Sequence, residues 1–200
     1  TAAAEVNERY VKQTGGRGQY AHVVMKVEPL PPGTGFEFVN KITSGRIPKE
    51  YIPPTERGVV DAMQKGPFAG FPVVDLRVTL LDGSYHEVDS SDIAFRTCGA
   101  RAFRRAFLSG SPQLLEPMMS VNVVTPEESA GAVMGSLCNR RGMIHGMDDQ
   151  GNAKVIKALV PLSTMFGYAT DVRNMSQGKA SFTMHFEHYE AVPYSIAEEV

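Results

Sequence analysis

The sequence predicts an α+β protein of two domains, on three observations. Strand patterns and helices with apolar stripes are mixed through the first half of the chain. A break at Ser109, Gly110, Ser111 and Pro112 then interrupts them. Beyond the break a strand–helix–strand pattern occurs twice, roughly 35 residues apart, which is the ferredoxin-like split βαβ arrangement. A length of 200 residues fits one large domain or two small ones. The stretch Leu114, Leu115, Glu116, Pro117 reads as a linker, and a boundary near Glu116 divides the chain into 1–116 and 117–200.

In the first half, apolar residues nearly fill 20–27, so this run predicts a substantially buried strand. Pro29, Pro31 and Pro32 end it, since proline donates no ladder hydrogen bond. Residues 36–42 read as a second strand. Pro53, Pro54, Thr55 and Glu56 open a helix, with Thr55 as the expected N-cap and Val59, Ala62 and Met63 as its stripe, and Gly66 and Pro67 stop it. Residues 71–81 read as a strand with Val74, Leu76, Val78 and Leu80 on one face. After a loop at 82–87, the cap candidates Asp89, Ser90 and Ser91 precede a helix whose stripe is Phe95, Cys98, Ala102, Phe103 and Ala106. Arg101, Arg104 and Arg105 ride that helix away from the stripe. A solvated face is the default reading for them, with phosphate contact as the alternative.

In the second half, 121–124 is a strand. Thr125, Pro126 and Glu128 form a helix start, with Thr125 as N-cap and Pro126 at the first helical position. Ala130, Val133, Met134 and Leu137 make the stripe, Arg140, Arg141 and Gly142 close the helix, and 143–147 returns as a strand. The second copy runs from a strand at 155–160 through a helix containing Met165, Ala169 and Val172 to Gly178 and a strand at 180–186.

Composition excludes several classes. Hydrophobic residues make up 42% and charged residues 21%, so an ordinary soluble globular protein is expected. No apolar run reaches the roughly 18 residues of a membrane span. The N-terminal residues Thr1, Ala2, Ala3, Ala4 and Glu5 lack a basic and an apolar region, so they are expected to be an internal stretch of a longer protein rather than a signal peptide. Cys98 and Cys138 share no CxxC spacing and both fall in helical patterns, so two buried free thiols in a reducing compartment are expected. With a net charge of −2 there is no global pull toward nucleic acid, and any RNA contact has to come from local basic patches.

One stretch stands out. Gln13, Thr14, Gly15, Gly16, Arg17, Gly18, Gln19 and Tyr20 place three glycines in four positions, broken by a single arginine. Glycine is costly in chain entropy, but it lets the backbone approach a flat or charged surface. Gln13, Thr14, Arg17, Gln19 and Tyr20 add donors, one permanent charge and a stacking face. That mixture suits RNA, which is read through shape, 2′-hydroxyls and phosphates. The competing reading is a plain glycine-rich hairpin turn.

Other constellations carry less. There is no GxxxxGK[ST] run, and the glycine stretch lacks its lysine and precedes a strand rather than a helix. Ser84, His86 and Asp89 lie in one short loop with no evident oxyanion hole, so no catalytic residues are expected. His185 and His188 are three apart on a strand and should face opposite sides, so no metal site is expected. Phe182, Met184 and Phe186 share a strand face that suits packing under the two helices better than base stacking.

Taken together these stretches resemble the elongation factor G family of translocation GTPases. The residues that carry the resemblance are QTGGRGQY at 13–20, IPKEYIPP at 47–54, GPFAGFPVVD at 66–75, GSYHEVDSSDIAF at 83–95, LLEPMM at 114–119, TPEE at 125–128, NRRGMI at 139–144, VPLSTMFGYATDVR at 160–173 and GKASFTM at 178–184. They correspond to the family's fourth and fifth domains. The resemblance implies a ribosomal-protein-S5 domain-2-like fold with a left-handed crossover for the first half, and a ferredoxin-like fold for the second.

It further implies a chain that binds rather than catalyses, with GTP and magnesium belonging to a nucleotide-binding domain outside it and no cofactor within it. The implied partners are the ribosome, through rRNA, the tRNA–mRNA duplex and the large-subunit stalk base, and the remaining domains of the same factor. The implied setting is cytoplasmic, monomeric and away from membranes. Carried over residue by residue, the tip that enters the decoding centre is Gln13, Thr14, Gly15, Gly16, Arg17, Gly18, Gln19 and Tyr20 together with Ser84, Tyr85 and His86. Ala21 and Lys49 stand where the common bacterial form usually has glycine, and Arg46 adds a charge beside the tip. The subtype therefore stays open between a translocase and a recycling or tetracycline-protection relative, with the intact QTGGRGQY favouring a translocase-type arm.

Overall fold

The computed structural model describes residues 1–13 and 15–199. Its first strand, β1 (Ala4–Lys12), has no counterpart in the sequence-based expectations. Its inward positions are Val6 and the carboxylate Glu8, so the apolar alternation that marks a strand is broken in the middle. Glu8 is 3% exposed. It is neutralised by Arg105, and by Arg101 at 3.4 Å, both reaching over from the second helix. A buried carboxylate needs such partners to remain charged.

β2 (Gln19–Pro29) turns Ala21, Val23, Met25 and Val27 into the core, and its other face is half-buried. β3 (Phe36–Asn40) follows, and then a 3-10 turn at Lys49–Tyr51 leads into α1 (Ile52–Lys65). Thr55 is not the N-cap. The helix starts three residues earlier, Pro53 and Pro54 occupy first-turn positions that need no N–H, and the Thr55 hydroxyl donates back to Tyr51 O at 2.7 Å. The next strand, β4 (Leu76–Ser84), begins five residues later than expected and runs three further. Pro72 cannot donate, Asp75 sits at φ 57°, and Val74 is exposed, so the chain only becomes extended at Leu76. α2 (Asp92–Ser109) is capped by Ser91, whose Oγ accepts from Ala94 N at 3.2 Å, and it buries all five expected stripe residues.

The sheet order is β1-β2-β4-β3, antiparallel except for the β3–β4 pair, and the chain order is three strands, helix, strand, helix. Both helices pack against this sheet, and glycine lets them approach each other closely. A Cβ on Gly58 would lie 2.0 Å from Arg96 O, and one on Gly99 would lie 2.6 Å from Thr55 O.

The second unit starts at Leu114, three residues before the expected division. Leu115–Pro126 is β5, so Leu115, Glu116 and Pro117 are paired with the last strand and do not form a linker. α3 (Glu127–Asn139), β6 (Met143–Gln150), β7 (Ala153–Pro161), α4 (Tyr168–Met175) and β8 (Ser181–Ala191) follow, with a short α5 (Tyr194–Ala197) after them. The antiparallel order β6-β7-β5-β8 is ferredoxin-like. Thr125 does not cap α3, because β5 continues through Pro126 and the cap position carries no side-chain bond. Met165 belongs to the turn before α4 rather than to the helix, since Gly167 at φ 79° bends the chain between them.

β8 also departs from strict alternation. Phe186 pairs with Met119 and His188 with Met118, so Glu187 is an extra residue in the ladder. The expected opposition of His185 and His188 across the sheet therefore does not hold. Among the described residues no three His, Cys, Asp or Glu side chains gather as metal ligands. Phe182 and Met184 pack against the helices as expected. Phe186 is 54% exposed and instead lies 5.1 Å from the Tyr189 ring.

The two thiols differ. Cys98 is buried, whereas Cys138 is exposed at the end of α3 and corrects the expectation of a second buried thiol. Burial, with Glu8 adding to it, pushes the Cys98 thiol up to about 12. Among the described residues no helix is long and apolar enough to cross a membrane.

A thiol reagent at about pH 8 should modify Cys138 and spare Cys98 in the folded chain, and modify both in denaturant. Fast labelling of two thiols in native buffer would contradict the burial. Gly58→Ala should cost about 1–3 kcal/mol, seen as a lower urea midpoint, because α1 has to move off Arg96.

Candidate nucleic-acid interface

The β1–β2 hairpin closes with Lys12 opposite Gln19, which leaves 13–18 as the turn. Thr14 lies outside the described residues. Gln13, Gly15, Gly16 and Arg17 are exposed, and Gly18, Gln19 and Tyr20 are half-buried as the strand begins. Gly15 adopts φ 44° with open space around it, a backbone state that L side chains resist. Gly18 packs closely for a different reason: a Cβ there would stand 3.1 Å from the Asp89 carboxyl carbon, so the Asp89 side chain would have to shift. The glycine turn thus lies against the segment that joins β4 to α2.

That segment holds the other expected residues. Ser84 ends β4, Tyr85 is 43% exposed, and the His86 side chain is 55% exposed. Ser90 organises the turn: its N–H donates to His86 O at 3.1 Å, and its Oγ accepts from His86 N at 2.9 Å. The same hydroxyl donates to Tyr20 O at 2.8 Å, while Tyr20 N donates to Asp89 O at 2.8 Å. Arg17 Nε adds a bond to Val88 O at 2.9 Å. Backbone and side-chain bonds therefore tie the two loops together, although they lie about 70 residues apart in sequence. The Tyr20 and His86 rings stand 6.2 Å apart. His86 Nδ1 accepts the Val88 and Asp89 N–H groups, each at 3.2 Å, so Nε2 is the ring nitrogen left as a donor.

A polar chain runs across the half-buried outer face of the sheet to the exposed Asn7. Tyr20 OH meets Ser84 Oγ at 2.9 Å, Ser84 Oγ meets His22 Nδ1 at 2.9 Å, and His22 Nε2 meets Asn7 Oδ1 at 2.8 Å. With Nε2–H donating to the Asn7 carbonyl, Nδ1 accepts from Ser84 and Ser84 accepts from Tyr20. Partial burial first, and the Arg9 charge second, hold the His22 imidazole below its usual 6.5, in keeping with a neutral ring. On the other strand Tyr10 OH donates to Gln19 Oε1 at 2.9 Å.

The loops rest on stacked side chains. Ile47, 1% exposed, fills the space under Gly83, where a Cβ would come within 2.5 Å of its Cδ1. Tyr51 stacks on Phe95 with centroids 4.7 Å apart. Beside Gly83, Arg46 pairs with Asp82 at 2.6 Å. Of the positions that depart from the bacterial pattern, Ala21 is fully buried in β2 and Lys49 is exposed at the turn before α1.

The structure brings together ten of the eleven expected site residues, the described ones, at one end of the sheet. Sequence reasoning treated Asp89 and Ser90 as helix-cap candidates, and did not reach His22 or Asn7. Ser90 in a run of Asp and Ser was the available signal, because such residues hydrogen-bond local backbone. Of the Ser84, His86 and Asp89 set, His86 Nδ1 lies 3.7 Å from an Asp89 carboxylate oxygen and takes backbone amides, while Ser84 Oγ bonds to Tyr20 and His22 rather than to His86.

Two family models cover the chain. The one described as "Elongation factor G, domain IV" matches residues 1–111, and "Elongation factor G C-terminus" matches residues 113–200. Among solved structures, a crystal structure of a protein from Thermus thermophilus is 39% identical with a TM-score of 0.91. It is matched along 100% of this chain and 30% of its own. The chain thus spans about a third of that protein's length.

Because His22 binds its proton more weakly in the folded chain, its contribution is present above the unfolded value of 6.5 and is lost as the pH falls through the lower folded value. Between about pH 7 and pH 5 the urea midpoint of the wild type should therefore drop more than that of His22→Gln. Equal drops would show that His22 is not the titrating group.

Proposed function

The chain belongs to the elongation factor G family, and from that premise we propose that it is the ribosome-entering part of a translation elongation factor. In this reading the first unit is an arm that promotes movement of tRNA and mRNA from the A site to the P site. The tip of the arm occupies the decoding centre, while the second unit docks on the large subunit near the stalk base. The 200 residues bind, and GTP turnover is the work of the rest of the full-length factor.

One observation carries the proposal: two exposed loops locked to one another at the end of a stiff sheet. Gly15, Gly16 and Gly18 leave backbone free to approach the minor groove of a short RNA duplex, which is wide, shallow and lined by 2′-hydroxyls. Gln13 and Gln19 supply amide groups, and Tyr85 supplies an exposed ring for stacking. Arg17 is anchored at Nε by Val88 O, so its remaining guanidinium N–H groups face a phosphate from a fixed position. His86 offers Nε2–H as a donor. None of these groups reads base identity, and a factor that serves every codon needs that tolerance.

Rigidity is the second requirement. A pawl that blocks backward movement of the duplex has to keep its shape under load. The Tyr20–Asp89–Ser90 bonds and the Tyr51–Phe95 stack provide that support.

In the full-length factor, Arg17→Ala combined with His86→Ala should slow translocation by about thirtyfold, the scale of two lost polar contacts near 1 kcal/mol each. Ribosome-stimulated GTP turnover should stay within about twofold of wild type. A parallel loss of both activities would defeat the proposal. Ribosome splitting without translocation would assign the chain to a recycling relative.

A further inference from the structure

On the outer side of the first unit, α1 and α2 are joined by two rungs of an ion-pair ladder. Arg57 meets Asp92 at 4.0 Å, and one turn further along both helices Asp61 meets Arg96 at 2.5 Å. The next turn brings Lys65 level with Ala100, and the ladder has no acid there. At this point the helices line a groove of about 510 Å³. Lys65, Arg96, Arg101 and Arg104 surround it, Thr97 adds a hydroxyl, and Asp61 is its one carboxylate.

The charges do not cancel. Asp61 is engaged by Arg96, and Arg101 leans to Glu8. Lys65 and Arg104 are exposed, and among the described residues neither has a carboxylate within 4.0 Å. The floor is small, with Gly58, Ala62 and Ala100, so a ligand can come close to both helices.

We propose that this groove is a second RNA-docking surface, separate from the tip, which takes the phosphate backbone of an A-form ribosomal RNA helix. The inference rests on the reading of the chain as a ribosome-binding factor and adds the surface by which the flank of the arm is held. Lys65 and Arg104, the two exposed lining cations without a carboxylate partner among the described residues, stand on long stems that suit neighbouring phosphates along a strand. A small free anion would call instead for buried, converging donors, and the polar side chains here lie at the rim. The Asp61–Arg96 pair is already neutral and does not repel the backbone. The contact is independent of sequence and sensitive to salt, because each phosphate neutralised releases counterions.

The test is titration of the 200-residue chain against a labelled RNA hairpin of about 12 base pairs between about 50 and 200 mM salt. Lys65→Glu with Arg104→Glu should weaken binding about tenfold and lower the slope of log K against log salt by about 1 to 2. Lys65→Gln with Arg104→Gln should move both in the same direction by less. Thermal melts should show both variants folded, the Gln pair close to wild type and the Glu pair a few degrees lower at most, because Lys65 sits in the last turn of α1, where a carboxylate opposes the helix dipole by about 1 kcal/mol. Arg17→Ala with His86→Ala should weaken binding separately, and the two effects should multiply.

Unchanged affinity and slope in the charge-reversed chain would overturn the proposal. So would inorganic phosphate saturating the Lys65 and Thr97 amide shifts at a concentration that leaves the hairpin bound, which would mark a small-anion site. Loss of binding in the groove variants alone, with the tip variants at wild-type affinity, would uphold the groove and defeat the tip reading.

Discussion

The bond from Tyr20 N to Asp89 O, with the Ser90 hydroxyl bridging back to Tyr20 O, is the constraint on which the candidate site depends. It joins the start of β2 to the residues just before α2. Everything exposed at that end hangs from it. The glycine turn is the continuation of β2 on one side of the link, and Ser84, Tyr85 and His86 lie on the other. Without the link, a glycine-rich turn would sample many backbone states at little cost. With it, the flexible turn has a rigid root, and only its outermost residues keep freedom.

The scaffold transmits the same constraint inward. The Ser84–His22–Asn7 chain links β4, β2 and β1 through side chains on one face, while Ala21, Val23 and Met25 seal the other. On the far side of that core, Arg101 and Arg105 cross from α2 to the buried Glu8 of β1. The outermost strand of the hairpin is thus held from both faces. An edge strand held in this way resists the twisting that would otherwise splay the turn it carries.

Charge is used locally. The whole chain carries a net charge of −2, yet Arg17 faces outward at the tip, and Lys65 and Arg104 stand unpaired on the helix flank. Basic groups elsewhere are mostly committed, such as Arg77 to Glu37 and Arg140 to Asp171. A chain of this kind has no long-range attraction to nucleic acid and depends on geometry to bring its few free cations to phosphates.

Local pattern determined a good deal by itself. The stripe of α2 was legible because Phe95, Cys98, Ala102, Phe103 and Ala106 recur at helical spacing, and the ferredoxin-like order was legible because its unit is repeated. The glycine turn before β2 was legible because three glycines serve no core. Only the tertiary structure decided what lies beside that turn. Asp89, Ser90 and His22 have roles set by strand register and by hydrogen bonds across about 70 residues, and no spacing rule reaches so far. β1 escaped notice for the same reason: Glu8 reads as a surface charge until Arg101 and Arg105, carried on a distant helix, make its burial affordable. The bulge at Glu187 and the thiol at Cys138 complete the contrast, because periodicity says which face a residue takes in an ideal element, and the packing partner says whether that face is covered.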